Sequence, residues 1–155
     1  MPVRPILNFP DPRLRLPAGP VTRFDADLRA LAEDLLDTMR AAPGIGITAP
    51  HVGVSVRLVV LELTPGEVRI YANPVLDQVS RETIRHSEGS VSMPGVTDEL
   101  ERHARIRVRF QDLDGKEQSE DADGLLAICH QHEIDQLNGV FWIDRLSRLK
   151  RDRLV

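Results

Sequence analysis

The residues with the most obvious chemistry lie in Gln131–Gln136, QHEIDQ, which follows the apolar run GLLAIC. On a helix, position i+4 shares a face with position i. His132 and position 136 would therefore look the same way, with Glu133 beside them. Two imidazoles at that spacing can hold one metal ion while the glutamate acts as general base. Position 136 is glutamine, however, and an isolated His–Glu pair is more commonly a hydrogen-bonded polar face. Two further segments carry candidates: EGSVSMPG, Glu88 to Gly95, with Ser90, and GIGITAPHVG, Gly44 to Gly53, with His51. The Gly44-x-Gly46 pair lacks the Lys-Ser/Thr of a phosphate loop and reads as close backbone approach to a ligand or to a sheet.

These segments need elements to hold them. Residues 1–23 are rich in proline and read as an extended arm. Asp25 is placed to cap a helix running to about Ala42. Leu28, Leu31, Leu35, Leu36 and Met39 repeat at helical spacing, and Pro43-Gly44 stop it. Val56–Leu63 and Val68–Leu76 read as strands joined at Pro65-Gly66, and Thr83–His86 and Ile106–Phe110 as further strands. Asp114-Gly115 is a hairpin signal, joining Ile106–Leu113 to Lys116–Asp121. Asp123 is placed to cap the helix that carries His132 and Glu133 and closes at Asn138-Gly139. A short helix over Ser147–Leu154 ends the chain. Short antiparallel strands around one central helix predict an α+β fold in one domain, 1–155.

Composition narrows the class. The chain has 155 residues, 41% hydrophobic and 28% charged, with a net charge of -4. That is enough chain to bury a core, and the negative balance argues against a general nucleic-acid binder. One cysteine, Cys129, precludes an internal disulfide and suggests a reducing compartment. The proline- and charge-rich start is unlike a signal peptide, and no apolar run approaches the roughly 18 residues of a membrane span. The expectation is a cytoplasmic protein without a membrane or specific nucleic-acid partner.

Together the three segments resemble the peptide deformylase family. GIGITAPHVG is similar to its GxGLAAxQ motif, EGSVSMPG to its EGCLS motif and HEIDQLNG to its HExDH motif, in the family's order and spacing. ILNFPDPRLR near the start and FWIDRLSRLK near the end agree as well. The resemblance covers nearly the whole chain. It implies the deformylase fold, antiparallel sheets around a central helix plus a C-terminal helix. It also implies a bacterial hydrolase of protein biosynthesis that removes formyl from the N-terminal methionine of nascent peptides. The family uses one divalent iron or zinc held by a cysteine and two histidines. A metal-bound water attacks, the motif glutamate moves the proton, and the motif glutamine and a backbone amide stabilise the oxyanion.

Carried over by position, the catalytic group is Glu133, His51 and Gly46. The metal-ligand positions are Ser90, His132 and Gln136, and Gly44, Ile45, Glu88, Gly89 and Val91 fall at substrate-binding positions. Only His132 is a good ligand. A cysteine binds as thiolate because its pKa is about 8.5. The serine hydroxyl stays neutral, and a glutamine carbonyl suits hard cations better than zinc or iron. The resemblance therefore implies no cofactor, or one weakly held iron, zinc or nickel ion. It implies little deformylase activity, with binding of N-terminal peptide segments retained. The alternative is an active metallohydrolase, a deformylase or another amide hydrolase, using a modified site.

Other readings stay open at single residues. Ser90 and Gln136 could bond each other in a metal-free pocket. His51 could be bonded to its neighbours, could join His132 and Glu133 in a relocated metal site, or could bind a ligand carbonyl. Ser90 as a nucleophile lacks any nucleophile elbow. Cys129 reads as core, His130 as a boundary residue, and His86 and His103 as strand residues without a motif. The tail carries Arg145, Arg148, Lys150, Arg151 and Arg153. By resemblance it is a candidate ribosome-docking helix, and otherwise it is a solvated helix with Leu146, Leu149 and Leu154 packed inward.

Overall fold

The computed structural model describes residues 3–155, so the first two residues of the proposed extended arm lie outside the described residues. Helix α1 spans Ala26–Ala41, and the Asp25 carboxylate accepts from the Leu28 amide as its cap. Strands β1 (Gly46–Thr48), β2 (Leu58–Leu61), β3 (Arg69–Val79), β4 (Thr83–Ser90), β5 (Met93–His103), β6 (Arg105–Gln111) and β7 (Glu117–Asp123) follow. Helix α2 spans Gly124–Leu137, and α3 spans Arg148–Leu154. Short 3-10 turns occupy Pro12–Arg15, Ala49–Val52 and Trp142–Arg145.

One antiparallel sheet has the order β1-β2-β3-β6-β7, and β4 pairs with β5 in a second sheet. The predicted hairpin at Asp114-Gly115 joins β6 to β7, with Arg105 opposite Asp123 and Gln111 opposite Glu117. Two strands escaped the sequence pattern. β1 is only three residues in a glycine-rich loop, and β5 begins at Met93-Pro94-Gly95 and continues through charged residues, so neither shows an apolar alternation.

Strand β2 explains how the layers stack. All four residues of LVVL are buried. Leu58 and Val60 face α1 residues Leu28, Leu35 and Met39, while Val59 and Leu61 face α2 residues Cys129 and Leu137. A strand covered on both faces reads as a continuous apolar run. Helix α2 also packs Ala127 and Ile134 on Ile106, Val108 and Ala122. A fourth cluster gathers Leu14, Met93, Leu100, Phe141, Trp142 and Ile143, tying both chain ends to the β4–β5 sheet.

Ten of the 14 residues of α2 are buried. A helix buried on nearly all sides must find partners for each polar side chain it carries, and that requirement shapes the site. Leu146 is buried as expected, but Leu149 is 71% exposed, because α3 rests on the body along one edge only. No helix among the described residues is long and apolar enough to cross a membrane.

Candidate functional site

A cavity of about 390 Å³ opens between β1, the β4–β5 turn and α2, lined by Gly44, Ile45, Gly46, His51, Glu88, Gly89, Ser90, Val91, Cys129, His132 and Glu133. Three sequence segments far apart along the chain thus meet around one space. Gln136 does not line it.

Four residues of α2 account for their polar groups away from the cavity. The His130 Nε2 lies 2.7 Å from the Glu120 carboxylate, and its ring stacks edge-on with Tyr71. His130 is 1% exposed, which corrects the expectation of a boundary residue. Glu120 on β7 supplies the partner that makes burial tolerable. Gln131 exchanges bonds with the backbone of His103 on β5. Asp135 accepts from Arg102 at 2.6 Å and from Arg145 at 2.7 Å. Gln136 donates through Nε2 to the carbonyl of Leu14 at 2.6 Å.

His132 is held from outside the helix. Its Nδ1 lies 2.9 Å from Glu88 Oε1 on β4, and Arg102 on β5 forks onto both oxygens of Glu88 at 2.8 Å. Arg102 is 6% exposed and bridges Glu88 to Asp135. Burial pushes the Glu88 carboxyl up, but the bonds from Arg102 and His132 outweigh it and hold it at about 2. Burial works to lower the His132 pKa, and the Glu88 bond with the Glu133 and Glu88 charges reverses that, so the net direction is upward.

Glu133 is different. It is 4% exposed, and its Oε1 has no hydrogen-bond partner. Burial raises its pKa, with the Glu88 charge adding to the shift and His132 opposing it. The other oxygen packs against Gly46, where a Cβ would collide with Glu133 Oε2 and come within 2.9 Å of Leu61. Gly44 is similar, since a Cβ there would lie 2.6 Å from Val91. Both glycines are needed for close approach.

His51 sits in the 3-10 turn after β1 and is 1% exposed. Its Nδ1 accepts from the Thr48 amide at 2.9 Å and lies 3.0 Å from the Thr48 hydroxyl. Its Nε2 is buried without a partner. Burial, aided by His132, holds its pKa down at about 3.

Ser90 Oγ accepts from the Ser92 amide at 3.0 Å. Ser90 and Gln136 are therefore each engaged with backbone, and the mutual bond suggested by the sequence is not formed. The reason is reach, because the Leu14 carbonyl in the N-terminal segment takes the Gln136 amide first. Cys129 is buried at the cavity wall, and burial drives its thiol pKa to about 12. Among the described residues, no three His, Cys, Asp or Glu side chains converge closely enough to hold a metal ion, which includes the triple His51, His132 and Glu133. In the tail, Arg145 is drawn onto Asp135, and Lys150 lies 3.5 Å from Asp98. The Glu88–Arg102–Asp135–Arg145 chain was not foreseen. Only the local motif carboxylate hinted at it.

The family described as Polypeptide deformylase matches residues 3–152. A protein of Brucella melitensis named peptide deformylase-like is 68% identical over 156 residues, covering 100% of this chain and 95% of that protein. A peptide deformylase of Afipia carboxidovorans is 46% identical, covering 100% of this chain and 93% of that protein. Among solved structures, a peptide deformylase from Legionella pneumophila superposes with a TM-score of 0.93 at 40% identity, covering 98% of this chain and 90% of that one. A peptide deformylase from Synechococcus elongatus in complex with actinonin superposes with a TM-score of 0.95 at 36% identity, covering 99% and 86%. The antiparallel α+β fold with a central and a C-terminal helix, expected from the motifs, is the fold of these structures.

Proposed function

The chain belongs to the polypeptide deformylase family, and from that premise we propose that it is a divergent member that binds N-terminal peptide segments without hydrolysing them efficiently. The observation that carries this reading is the Gln136–Leu14 bond. The bond fixes the Gln136 carboxamide on the N-terminal segment, and Gln136 does not line the cavity, so the second ligand position stands outside it.

Of the three ligand positions, those that still face the cavity carry one imidazole, His132, and one neutral hydroxyl, Ser90. Catalytic zinc takes three protein ligands of nitrogen, thiolate or carboxylate type, with a fourth position left for water. This donor set does not fit such a centre. Without a metal, nothing here lowers the pKa of water from 15.7 towards about 7, so Glu133 has no activated nucleophile to serve.

The geometry around the cavity supports the peptide-binding half of the reading. β1 is an edge strand of its sheet, and the β4–β5 turn stands across the cavity from it. An extended peptide could add to such an edge through main-chain bonds while a side chain enters the cavity. Gly44, Ile45, Gly89 and Val91 would border that strand, whereas Glu88 acts from behind by holding His132. The partner would be the N-terminal segment of a newly made polypeptide in the cytoplasm. The basic tail adds little support for ribosome docking, since Arg145 is already committed to Asp135.

The test measures metal in protein purified without added metal, deformylation of formyl-Met-Ala-Ser, and binding of the same peptide by calorimetry. The expected result is substoichiometric metal, no measurable turnover and retained binding. Stoichiometric iron, nickel or zinc with turnover would establish the alternative, a working metallohydrolase with altered ligands.

A further inference from the structure

One line of charged groups runs from the cavity to the surface. His132 Nδ1 lies 2.9 Å from Glu88 Oε1, and the same oxygen accepts from Arg102 Nη2 at 2.8 Å. Arg102 Nη1 donates to Asp135 Oδ2 at 2.6 Å, and that oxygen also accepts from Arg145 Nε at 2.9 Å. Each joint in the line is thus a single carboxylate oxygen shared by two neighbours. Glu88 comes from β4, Arg102 from β5, His132 and Asp135 from α2, and Arg145 from the 3-10 turn that follows α2. Side-chain exposure is 3% for Glu88, 5% for Arg102 and 12% for Asp135, but 53% for Arg145.

Charge balance gives Arg145 a task. Two carboxylates, Glu88 and Asp135, face two guanidinium groups, Arg102 and Arg145, so the set sums to zero. Without Arg145 the interior would hold two negative charges against one positive, and an uncompensated buried charge is costly. Arg102 alone would then serve both carboxylates. Its N–H donors lie in one rigid plane, and it places two of them on Glu88 and one on Asp135. Turning further towards Asp135 opens the fork on Glu88. Glu88 Oε1 is the partner of His132, so the imidazole loses its fixed direction at the cavity it lines.

The geometry of Arg145 suits it to prevent this. It forks onto both oxygens of Asp135, Nε to Oδ2 and Nη2 to Oδ1 at 2.7 Å. Trp142 and Ile143 in the same turn are buried and anchor its backbone. We propose that Arg145 is a remote positioning residue for the site, which sets the His132 ring by holding Asp135 and so leaving Arg102 to grip Glu88. The role is the same whichever ligand the cavity takes, and it touches none of the reacting groups.

The experiment compares the full chain with Arg145→Gln, Arg145→Lys and, as a surface control, Arg148→Gln. The Arg148 side chain is 90% exposed and its ion-pair partner is Asp152. The readouts are the histidine ring nitrogens by nitrogen-15 NMR at one fixed pH, and the urea midpoint. Arg145→Gln should displace the His132 Nδ1 signal and leave in place those of His103 and His130, which lie against Ser80 and Glu120. A merely structural role would lower the urea midpoint without singling out His132. Arg145→Lys, which keeps the charge but not the fork, should give a smaller displacement, and Arg148→Gln none. Asp135→Asn combined with Arg145→Gln removes one charge of each sign, and should return the His132 signal to its wild-type position. If Arg145→Gln fails to fold, Arg145→Lys decides by the same comparison. The proposal is overturned by a His132 signal that is unmoved in the folded variant or that moves together with those of His103 and His130. It is equally overturned by a signal still displaced in the double variant.

Discussion

The Gln136 carboxamide donates to the carbonyl oxygen of Leu14 at 2.6 Å across 122 positions of sequence, and both residues are buried. That bond turns a position next to a motif histidine into a fastener between the central helix and the N-terminal segment. It also gives the proposed loss of the metal centre a structural counterpart. Restoring a ligand there means breaking a contact that the fold uses.

Ser90→Cys combined with Gln136→His is expected to raise bound zinc or cobalt to about one per chain, read by elemental analysis after dialysis. The Leu14 carbonyl loses its partner, so the variant should also lose about 1–3 kcal/mol of stability in urea denaturation. Metal recovered without deformylation would place the remaining deficit at His51. No gain in metal would count against the cavity being a deformylase centre short only of its ligands.

Arg102 joins Glu88 and Asp135 at 5% side-chain exposure. Arg102→Met would leave Glu88 with His132 and Asp135 with Arg145 as their remaining partners, and breaking a buried pair on one side commonly costs about 3–5 kcal/mol. The expected outcome is a large drop in the urea midpoint and a weakened hold on His132, visible as a shift of its ring signals. A drop below about 1 kcal/mol would show that water reaches the network.

Acid should act through the same carboxylate. Glu88 has its pKa lowered from 4.5 to about 2 in the folded chain, so it contributes stability that is fully present above pH 4.5 and lost as pH falls towards 2. The shift corresponds to roughly 3 kcal/mol. Denaturation midpoints in the presence of a chelator should fall across that window, and Glu88→Gln should flatten the fall. An unchanged slope in Glu88→Gln would assign the acid sensitivity to other carboxylates.

Gly46→Ala probes the floor of the cavity. The added methyl would collide with Glu133 Oε2 and press within 2.9 Å of Leu61. Overpacking of this kind typically costs about 1–3 kcal/mol, and the displaced Glu133 should abolish peptide binding at concentrations where the wild type saturates. Unimpaired binding would mean that Glu133 does not face the peptide.

Much of the framework was legible without coordinates because it depends on short-range physics. The Asp25 cap, the leucine spacing of α1, the Asp114-Gly115 turn and the span of α2 follow from contacts within a few residues. The motifs likewise identified the segments that meet at the cavity. β1 and β5 were hidden because a strand is defined by its neighbours, and theirs are β2 and β4.

Residue types alone determined that position 90 offers no thiolate and position 136 no imidazole. Tertiary structure decided what those side chains do instead. It set Gln136 on Leu14, buried His130 against Glu120, brought Glu88 across 44 positions to His132, and left His51 and Glu133 each with one unpaired atom at a shared space. The physical reason is that a buried polar group takes whichever partner the packed chain brings within about 3 Å. That partner is set by the meeting of distant elements, which no local pattern records.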